Sequence, residues 1–166
     1  MSKEALGRLL LVEDEPVLRG LVHQFLIMES YDVEPAADGR EAIDAYETRG
    51  PYDLILMDLN MPRVPGVEAC RHIKAMNPRQ PILVCSAAIL ESHVEALGAL
   101  GVRDSLMKPY HPVELAAAVR RMLAEGPDAA NAGRRDWRDH RGHAEAGPNS
   151  SARARPSALS DLRGME

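Results

Sequence analysis

Cysteine, aromatic residues and long apolar runs are scarce in this chain of 166 residues. Two cysteines are too few for the framework of a disulfide-stabilised secreted domain. The longest nearly apolar run, residues 81–90, is far shorter than the roughly 20 residues that a membrane-spanning helix needs. Acidic residues near the start, at Glu4 and from Glu13 to Glu15, do not fit a secretory signal peptide. We therefore expect a cytoplasmic protein with free thiols and no membrane partner.

Positive charge is also in short supply, with 20 basic against 25 acidic residues and a formal net charge of −5. Nucleic-acid-binding proteins usually carry a basic surface, so nucleic acid is not expected as a partner. Residues 125–166 contain only two residues of the Leu, Ile, Val and Phe set. So few apolar side chains cannot offset the entropy cost of ordering the backbone. The composition therefore predicts one domain at 1–124 and a disordered, low-complexity C-terminal tail at 125–166.

Short apolar runs alternate with helical patterns along residues 1–124. The strand candidates are residues 9–12, 31–33, 54–57, 82–85 and 105–107. Three of these runs are continuously apolar, as is typical of strands buried on both faces. Apolar residues at helical spacing follow each strand candidate. Five such rounds predict an α/β fold, in which a five-stranded parallel sheet is doubly wound and carries helices on both faces.

Polar side chains follow four of the predicted strands at the points where the strands end. These residues are Glu13 and Asp14, Asp58, Ser86, and Lys108. The carboxyl ends of parallel strands lie along one edge of a sheet, so we expect these side chains to converge there. Clustered carboxylates repel one another unless a hard cation such as Mg²⁺ joins them, and a carboxylate can also attack a phosphoryl group. The pattern therefore suits Mg²⁺-dependent phosphoryl transfer.

The chain resembles the receiver domain of two-component response regulators, in particular the CheY-like, single-domain members. The resemblance rests on four segments in this order: LLLVEDEP, LILMDLNMP, ILVCSAA and SLMKPY. It covers about residues 6–124. It implies a flavodoxin-like fold with the strand order 2-1-3-4-5. It also implies that signals leave through the face formed by the fourth helix, the fifth strand and the fifth helix.

The resemblance implies a role for each residue at a strand end. Asp58 is the implied phosphoacceptor. The implied Mg²⁺ site consists of Glu13, acting mainly through water, Asp14, Asp58 and the backbone carbonyl of Asn60. Ser86 is implied to turn its hydroxyl toward the phosphoryl group, and Lys108 to bind a phosphoryl oxygen. Mg²⁺ is therefore the expected cofactor.

Three further positions can be compared with the family pattern. Ala87 matches the small residue that leaves access to the phosphoacceptor, and the bond between Lys108 and Pro109 matches the usual cis peptide. Ser105 departs from the pattern, because many members carry an aromatic residue three positions before the lysine. Rotation of that ring accompanies phosphorylation. Since serine has no ring, we do not expect the usual hydroxyl-to-aromatic switch here.

The implied function is that of a single-domain response regulator phosphorylated on Asp58 by a sensor histidine kinase or a histidine phosphotransfer protein. The residues after Leu123 are too few for a further output domain. Output is therefore expected through binding to a downstream protein of unknown identity or through a phosphorelay. The protein is not expected to be an enzyme, apart from catalysing its own phosphorylation and dephosphorylation.

Two alternatives share parts of this pattern. A phosphatase of the haloacid-dehalogenase type also uses an aspartate nucleophile, Mg²⁺ and a lysine, but it needs a second aspartate where this chain has Asn60. A flavodoxin-like cofactor protein would need a phosphate-binding loop where the acidic residues 13–15 stand. Turnover of a phosphate ester would favour the first alternative.

A third alternative is a nucleic-acid-associated regulator that acts through an Arg-rich segment of the tail. Its arginines surround the single tryptophan, Trp137, at positions Arg134, Arg135, Arg138 and Arg141. Stacking of the tryptophan on bases would support such a contact. The interleaved Asp136 and Asp139 instead favour a solvated segment of mixed charge.

Overall fold

The computed structural model describes residues 4–129 and shows five strands that alternate with five helices. The elements are β1 Arg8–Val12, α1 Pro16–Met28, β2 Asp32–Ala36, α2 Gly39–Arg49, β3 Leu54–Met57, α3 Gly66–Met76, β4 Ile82–Ser86, α4 Glu91–Ala99, β5 Asp104–Met107 and α5 Pro112–Ala129. All four strand pairings are parallel, and the sheet order is β2-β1-β3-β4-β5. The α/β fold and the implied strand order are thereby confirmed.

Side chains that alternate along the strands build one apolar core on each face of the sheet. The core beneath α2, α3 and α4 includes Leu10, Ile55 and Val84, whereas the core beneath α1 and α5 includes Leu9 and Leu56. Strands β1, β3 and β4 are buried almost throughout. The continuously apolar runs in the sequence arise because both faces of these strands are covered. Within residues 4–129, no helix combines the length and the apolar character needed to cross a membrane.

The helix ends explain how the chain turns at the edges of the sheet. Pro16 is the first residue of α1, and the Glu15 carboxylate accepts hydrogen bonds from two backbone N–H groups of that first turn. Helix α2 begins after Asp38, whose carboxylate caps it by accepting from the backbone N–H of Glu41 at 2.9 Å. At the other end of the domain, Gly126 (φ 71°) interrupts the helical geometry of α5. The predicted tail lies almost wholly outside the described residues, and the boundary at residue 125 stays a prediction.

Glu34 on β2 accepts hydrogen bonds from three side chains. These side chains lie near the amino-terminal ends of the strands, at the opposite edge of the sheet from the strand-end polar residues. The Tyr52 hydroxyl donates to it at 2.6 Å and the Arg8 guanidinium at 3.3 Å, and Arg49 also donates. Burial, the largest single influence, tends to raise the pKa of Glu34. The hydrogen bonds from Arg49 and Tyr52, with the charges of Arg49 and Arg8, nevertheless hold this pKa below its ordinary value of 4.5.

We expect Glu34→Gln to lower the free energy of unfolding by about 1–3 kcal/mol at neutral pH, because an amide is a weaker acceptor for these donors. The folded-state pKa of Glu34 is lowered, so its contribution is present above the unfolded-state pKa and is lost as pH falls through the folded-state value. The difference between wild type and variant should therefore shrink below about pH 4.5. Urea unfolding at several pH values checks this, with the exposed Glu47→Gln as a control. A difference independent of pH would contradict it.

Candidate functional site

Two backbone hydrogen bonds extend the sheet by one residue and set two carboxylates beside each other. The backbone N–H of Glu13 donates to the carbonyl of Ala36, and that of Asp58 donates to the carbonyl of Val12, each at 3.1 Å. Glu13 and Asp58 are 4 % and 5 % exposed. Both side chains are therefore held at the carboxyl edge of the sheet by the strand ladder, with little access to water.

Asp14 completes an acidic cluster with these two residues. One carboxylate oxygen each from Glu13, Asp14 and Asp58 lies within 4.8 Å of the others. Burial is the main reason that the pKa of Glu13 is raised, and the nearby charge of Asp58 raises it further, against the opposing effect of Lys108. A donor set made only of carboxylate oxygens fits a hard divalent cation such as Mg²⁺.

Lys108 neutralises part of this negative charge in the structure. Its backbone N–H donates to the Ser86 carbonyl at 3.0 Å, which places it directly after β5. Its Nζ donates to Asp58 Oδ2 at 2.8 Å and also to Glu13. Burial is the largest influence on this ammonium and tends to lower its pKa, but the hydrogen bonds and charges of Asp58 and Glu13 together raise the pKa of Lys108. Lys108 therefore stays a cation beside the acidic cluster.

Asn60 connects the acidic cluster to the end of β4. Its backbone N–H donates to Asp58 Oδ1 at 3.1 Å, and its Nδ2 donates to the Ser86 hydroxyl oxygen at 2.9 Å. The Ser86 hydroxyl in turn donates to the Ala88 carbonyl at 3.1 Å. Ala87, between these two residues, is exposed. The structure thus brings every predicted site residue to one edge of the sheet, with Ser86 bonded to its own loop rather than turned toward Asp58.

Two contacts at the site have no counterpart in the sequence analysis. The Arg19 guanidinium donates to the backbone carbonyls of Glu13 at 2.8 Å and of Asp14 at 3.3 Å. A Cβ atom at Gly66 would lie only 2.0 Å from the carbonyl oxygen of Asp58. No residue spacing indicates the Arg19 contact, since it depends on the direction in which α1 leaves the sheet. The glycine at the start of α3, where a capping or acidic residue is more usual, is a signal that could have found the second contact.

The two remaining family comparisons concern β5 and the residue after Lys108. The peptide bond between Lys108 and Pro109 is cis, as the resemblance implies. Ser105 lies in β5 opposite Val84 and is partly buried. The absence of an aromatic switch at Ser105 stays a prediction.

Comparison with known proteins decides the family. The sequence profile described as "Response regulator receiver domain" matches residues 9–120. This chain belongs to that family. The receiver domain is 37 % identical over 128 residues to "Response regulator MprA" of Mycobacterium sp. (strain KMS). This alignment covers 74 % of this chain and 55 % of the relative. It is 36 % identical over 125 residues to "Alkaline phosphatase synthesis transcriptional regulatory protein SphR" of Synechococcus elongatus, covering 70 % of this chain and 49 % of the relative. The chain thus spans about half the length of these curated relatives.

Solved structures of receiver domains share the fold. The chemotaxis protein CheY4 of Vibrio cholerae superposes with a TM-score of 0.65 at 30 % identity, covering 72 % of this chain and 99 % of that protein. The receiver domain of the sensor histidine kinase PA1611 from Pseudomonas aeruginosa superposes with a TM-score of 0.64 at 35 % identity, covering 71 % and 98 %. The latter structure holds a magnesium ion coordinated in its active-site cleft.

Proposed function

We propose that this receiver domain accepts a phosphoryl group on Asp58 from a phosphohistidine of a sensor histidine kinase or a histidine phosphotransfer protein. The observation that carries the proposal is the placement of Asp58, which shares an acidic cluster with Glu13 and Asp14 and accepts a hydrogen bond from Lys108 at 2.8 Å. An aspartate that lies next to an ammonium and belongs to a carboxylate cluster able to hold a divalent cation is suited to attack a phosphoryl group.

In the proposed transfer, a carboxylate oxygen of Asp58 attacks the phosphorus atom. The new O–P bond forms as the P–N bond to the imidazole breaks, and the electron pair of that bond stays on the imidazole nitrogen. Mg²⁺ held by Glu13, Asp14, Asp58 and the Asn60 carbonyl would supply positive charge beside the phosphoryl oxygens. The product is an acyl phosphate on Asp58.

Lys108 and Ser86 stabilise the product in this proposal. The Nζ of Lys108 already lies beside both buried carboxylates, so it can exchange one of these contacts for a phosphoryl oxygen. Ser86 can donate its hydroxyl proton to another phosphoryl oxygen only if it leaves the Ala88 carbonyl. Phosphorylation therefore competes with the contact that holds the loop after β4, which provides a route from Asp58 to the neighbouring surface.

The direct test is phosphorylation by a small donor such as acetyl phosphate with Mg²⁺, followed by intact-mass measurement. We expect one phosphoryl adduct on the wild type and none on Asp58→Asn, because the amide is not a nucleophile. Asp44→Asn on the exposed side of α2 is the matched control and should be labelled like the wild type. An adduct of undiminished yield on Asp58→Asn would assign the phosphoacceptor to another residue.

The phosphatase alternative is not favoured by the geometry at Asn60. The second aspartate that such enzymes need is absent, and the Asn60 amide is engaged with Ser86 and Ala88. We therefore propose that the protein carries its phosphoryl group as a signal and is not an enzyme acting on external substrates. Steady release of phosphate from an ester such as p-nitrophenyl phosphate would contradict this.

The output partner is proposed to be a protein, bound in a phosphorylation-dependent manner, or a second phosphotransfer protein. Several of the relatives, SphR among them, are named transcriptional regulatory proteins, so their printed names connect receiver domains of this type with gene control. The net negative charge of this chain remains the argument against direct binding to nucleic acid. The Arg-rich segment around Trp137 lies outside the described residues.

A further inference from the structure

We propose that the ion pair between Asp38 and Arg63 is a positioning device for the β3–α3 loop, residues 58–65, and thereby sets the affinity of the acidic cluster for Mg²⁺. This inference rests on the proposed function. It assigns roles to two residues that are neither the proposed phosphoacceptor nor proposed cation ligands. Three observations support it, and they concern the loop and the start of α2, Asp38 and Gly39.

The first observation is the ion pair itself. Asp38 is only 1 % exposed, and its Oδ1 accepts the backbone N–H of Glu41 at 2.9 Å. Its other carboxylate oxygen, Oδ2, accepts from the guanidinium of Arg63, 25 residues further along the chain. A buried carboxylate needs charged or hydrogen-bonding partners, so releasing Arg63 leaves one oxygen of Asp38 without this donor. The pair therefore resists separation of the loop from the start of α2.

The second observation is the backbone conformation of Arg63. Its φ angle is 65°, in the left-handed region that favours glycine and disfavours a long side chain such as arginine. A glycine would fit this conformation without strain, so the backbone alone gives no reason for an arginine here. The side chain gives the reason, because its guanidinium reaches the buried carboxylate of Asp38. Strained backbone conformations cluster beside functional sites, where the surrounding contacts hold the residue in place.

The third observation is a close approach between two backbone segments. A Cβ atom at Gly39 would lie 2.4 Å from the carbonyl oxygen of Val64. The start of α2 and the loop are thus in close backbone contact at Val64, the residue after Arg63. Two consecutive loop residues are held against the same end of α2.

The loop carries this restraint to the acidic cluster. Asn60, three residues before Arg63, donates its backbone N–H to Asp58 Oδ1 at 3.1 Å. At the end of the loop, the backbone N–H of Gly66 donates to the carbonyl of Leu59 at 3.1 Å. A loop fixed at both ends and in its middle holds the Asn60 carbonyl in one place, which is the proposed fourth ligand position. Loss of the middle contact should therefore weaken cation binding without changing any carboxylate.

The decisive variant is Arg63→Gly, measured by titration with MgCl₂ alone, using calorimetry and the backbone amide shifts of residues 58–66. Glycine relieves the backbone strain and the Arg63 side chain is 71 % exposed, so we expect loss of the ion pair to lower the melting temperature only slightly. We expect the dissociation constant for Mg²⁺ to rise about tenfold, the lower end of the effect typical of residues that orient metal ligands. Arg63→Lys, which keeps a cation for Asp38, should recover most of the affinity.

The direction in which the Mg²⁺ dissociation constant changes distinguishes a positional effect from a long-range electrostatic one. Removing a positive charge near an acidic cluster should by itself tighten binding of a cation. Arg40→Ala on the same end of α2 removes the same charge from an exposed pair with Asp44 and serves as the matched control. We expect its dissociation constant for Mg²⁺ to be unchanged or slightly lower. Only loss of a positional restraint makes Arg63→Gly bind more weakly while Arg40→Ala does not.

A second pair of variants tests whether the two residues act together. Asp38→Asn keeps an N-cap side chain for α2 but removes the charge that binds Arg63. If the ion pair is the restraint, Asp38→Asn should weaken Mg²⁺ binding, and the double variant Asp38→Asn/Arg63→Gly should be no weaker than the poorer single variant. Additive effects would show that the residues act separately and would overturn the inference.

Two results distinguish failure of this inference from failure of the proposed function. Tight Mg²⁺ binding by the wild type with an unchanged dissociation constant in Arg63→Gly would overturn the inference alone. Absence of Mg²⁺ binding and of phosphorylation in the wild type would overturn the proposed function and, with it, the inference.

Discussion

Gly66→Ala is expected to lower the free energy of unfolding by about 3 kcal/mol, at the upper end of the cost of inserting a methyl group into a packed site. The new Cβ would lie 2.0 Å from the Asp58 carbonyl oxygen and 2.7 Å from the Cα of Leu59. Both are backbone atoms, so no side chain can rotate away to make room. The substitution must push α3 and the backbone of Asp58, the proposed phosphoacceptor, apart, and we therefore expect phosphorylation of the remaining folded protein to fall as well.

Gly20→Ala is the matched control, because the same change on α1 meets nothing within 4 Å. Alanine is the better helix former, so this variant should be more stable than the wild type by about 0.5–1 kcal/mol. Urea unfolding of the three proteins gives the two differences directly. Equal effects of the two substitutions, or a neutral Gly66→Ala, would contradict the close approach of α3 to β3.

Lys108→Met is expected to lower the free energy of unfolding by about 3 kcal/mol in the absence of divalent cations, because breaking a buried ion pair leaves uncompensated charge. Lys108, Glu13 and Asp58 are 14 %, 5 % and 6 % exposed in their side chains. Without the ammonium, two buried carboxylates lose their cation. Mg²⁺ binds the folded state and replaces that charge, so we expect added Mg²⁺ to stabilise Lys108→Met more than it stabilises the wild type.

Lys74→Met tests whether this effect belongs to the acidic cluster or to any buried lysine. Lys74 is 6 % exposed and donates to the backbone carbonyl of Pro78 at 2.9 Å. Burial lowers the pKa of Lys74, which shows that its charge is held at a cost. A methionine of similar length should change the free energy of unfolding by less than about 1.5 kcal/mol, and the change should not depend on Mg²⁺. A Lys108→Met protein that responds to Mg²⁺ like the wild type would contradict the proposed charge exchange.

The layered α/β fold can be predicted from the sequence because apolar residues recur at different spacings in strands and helices. Runs such as residues 54–57 are apolar at every position, and only a strand covered on both faces needs that. The strand order does not follow from these patterns, since any order buries the same runs. It came instead from the resemblance of four segments to a known family, and the sheet confirms it.

The strand pattern is enough to predict that Glu13, Asp14, Asp58, Ser86 and Lys108 lie together, because parallel strands of one sheet end at a common edge. Which atoms form hydrogen bonds at this edge becomes visible only in the folded structure. Asn60 donates to Ser86 across 26 positions of sequence, and Arg63 reaches Asp38 across 25. Loops have no hydrophobic period from which such contacts could be predicted, and their geometry is fixed by close backbone approaches such as that of Gly66 to Asp58. The identity of the site residues can thus be predicted from the strand ends, whereas their hydrogen bonds depend on how the loops pack against one another.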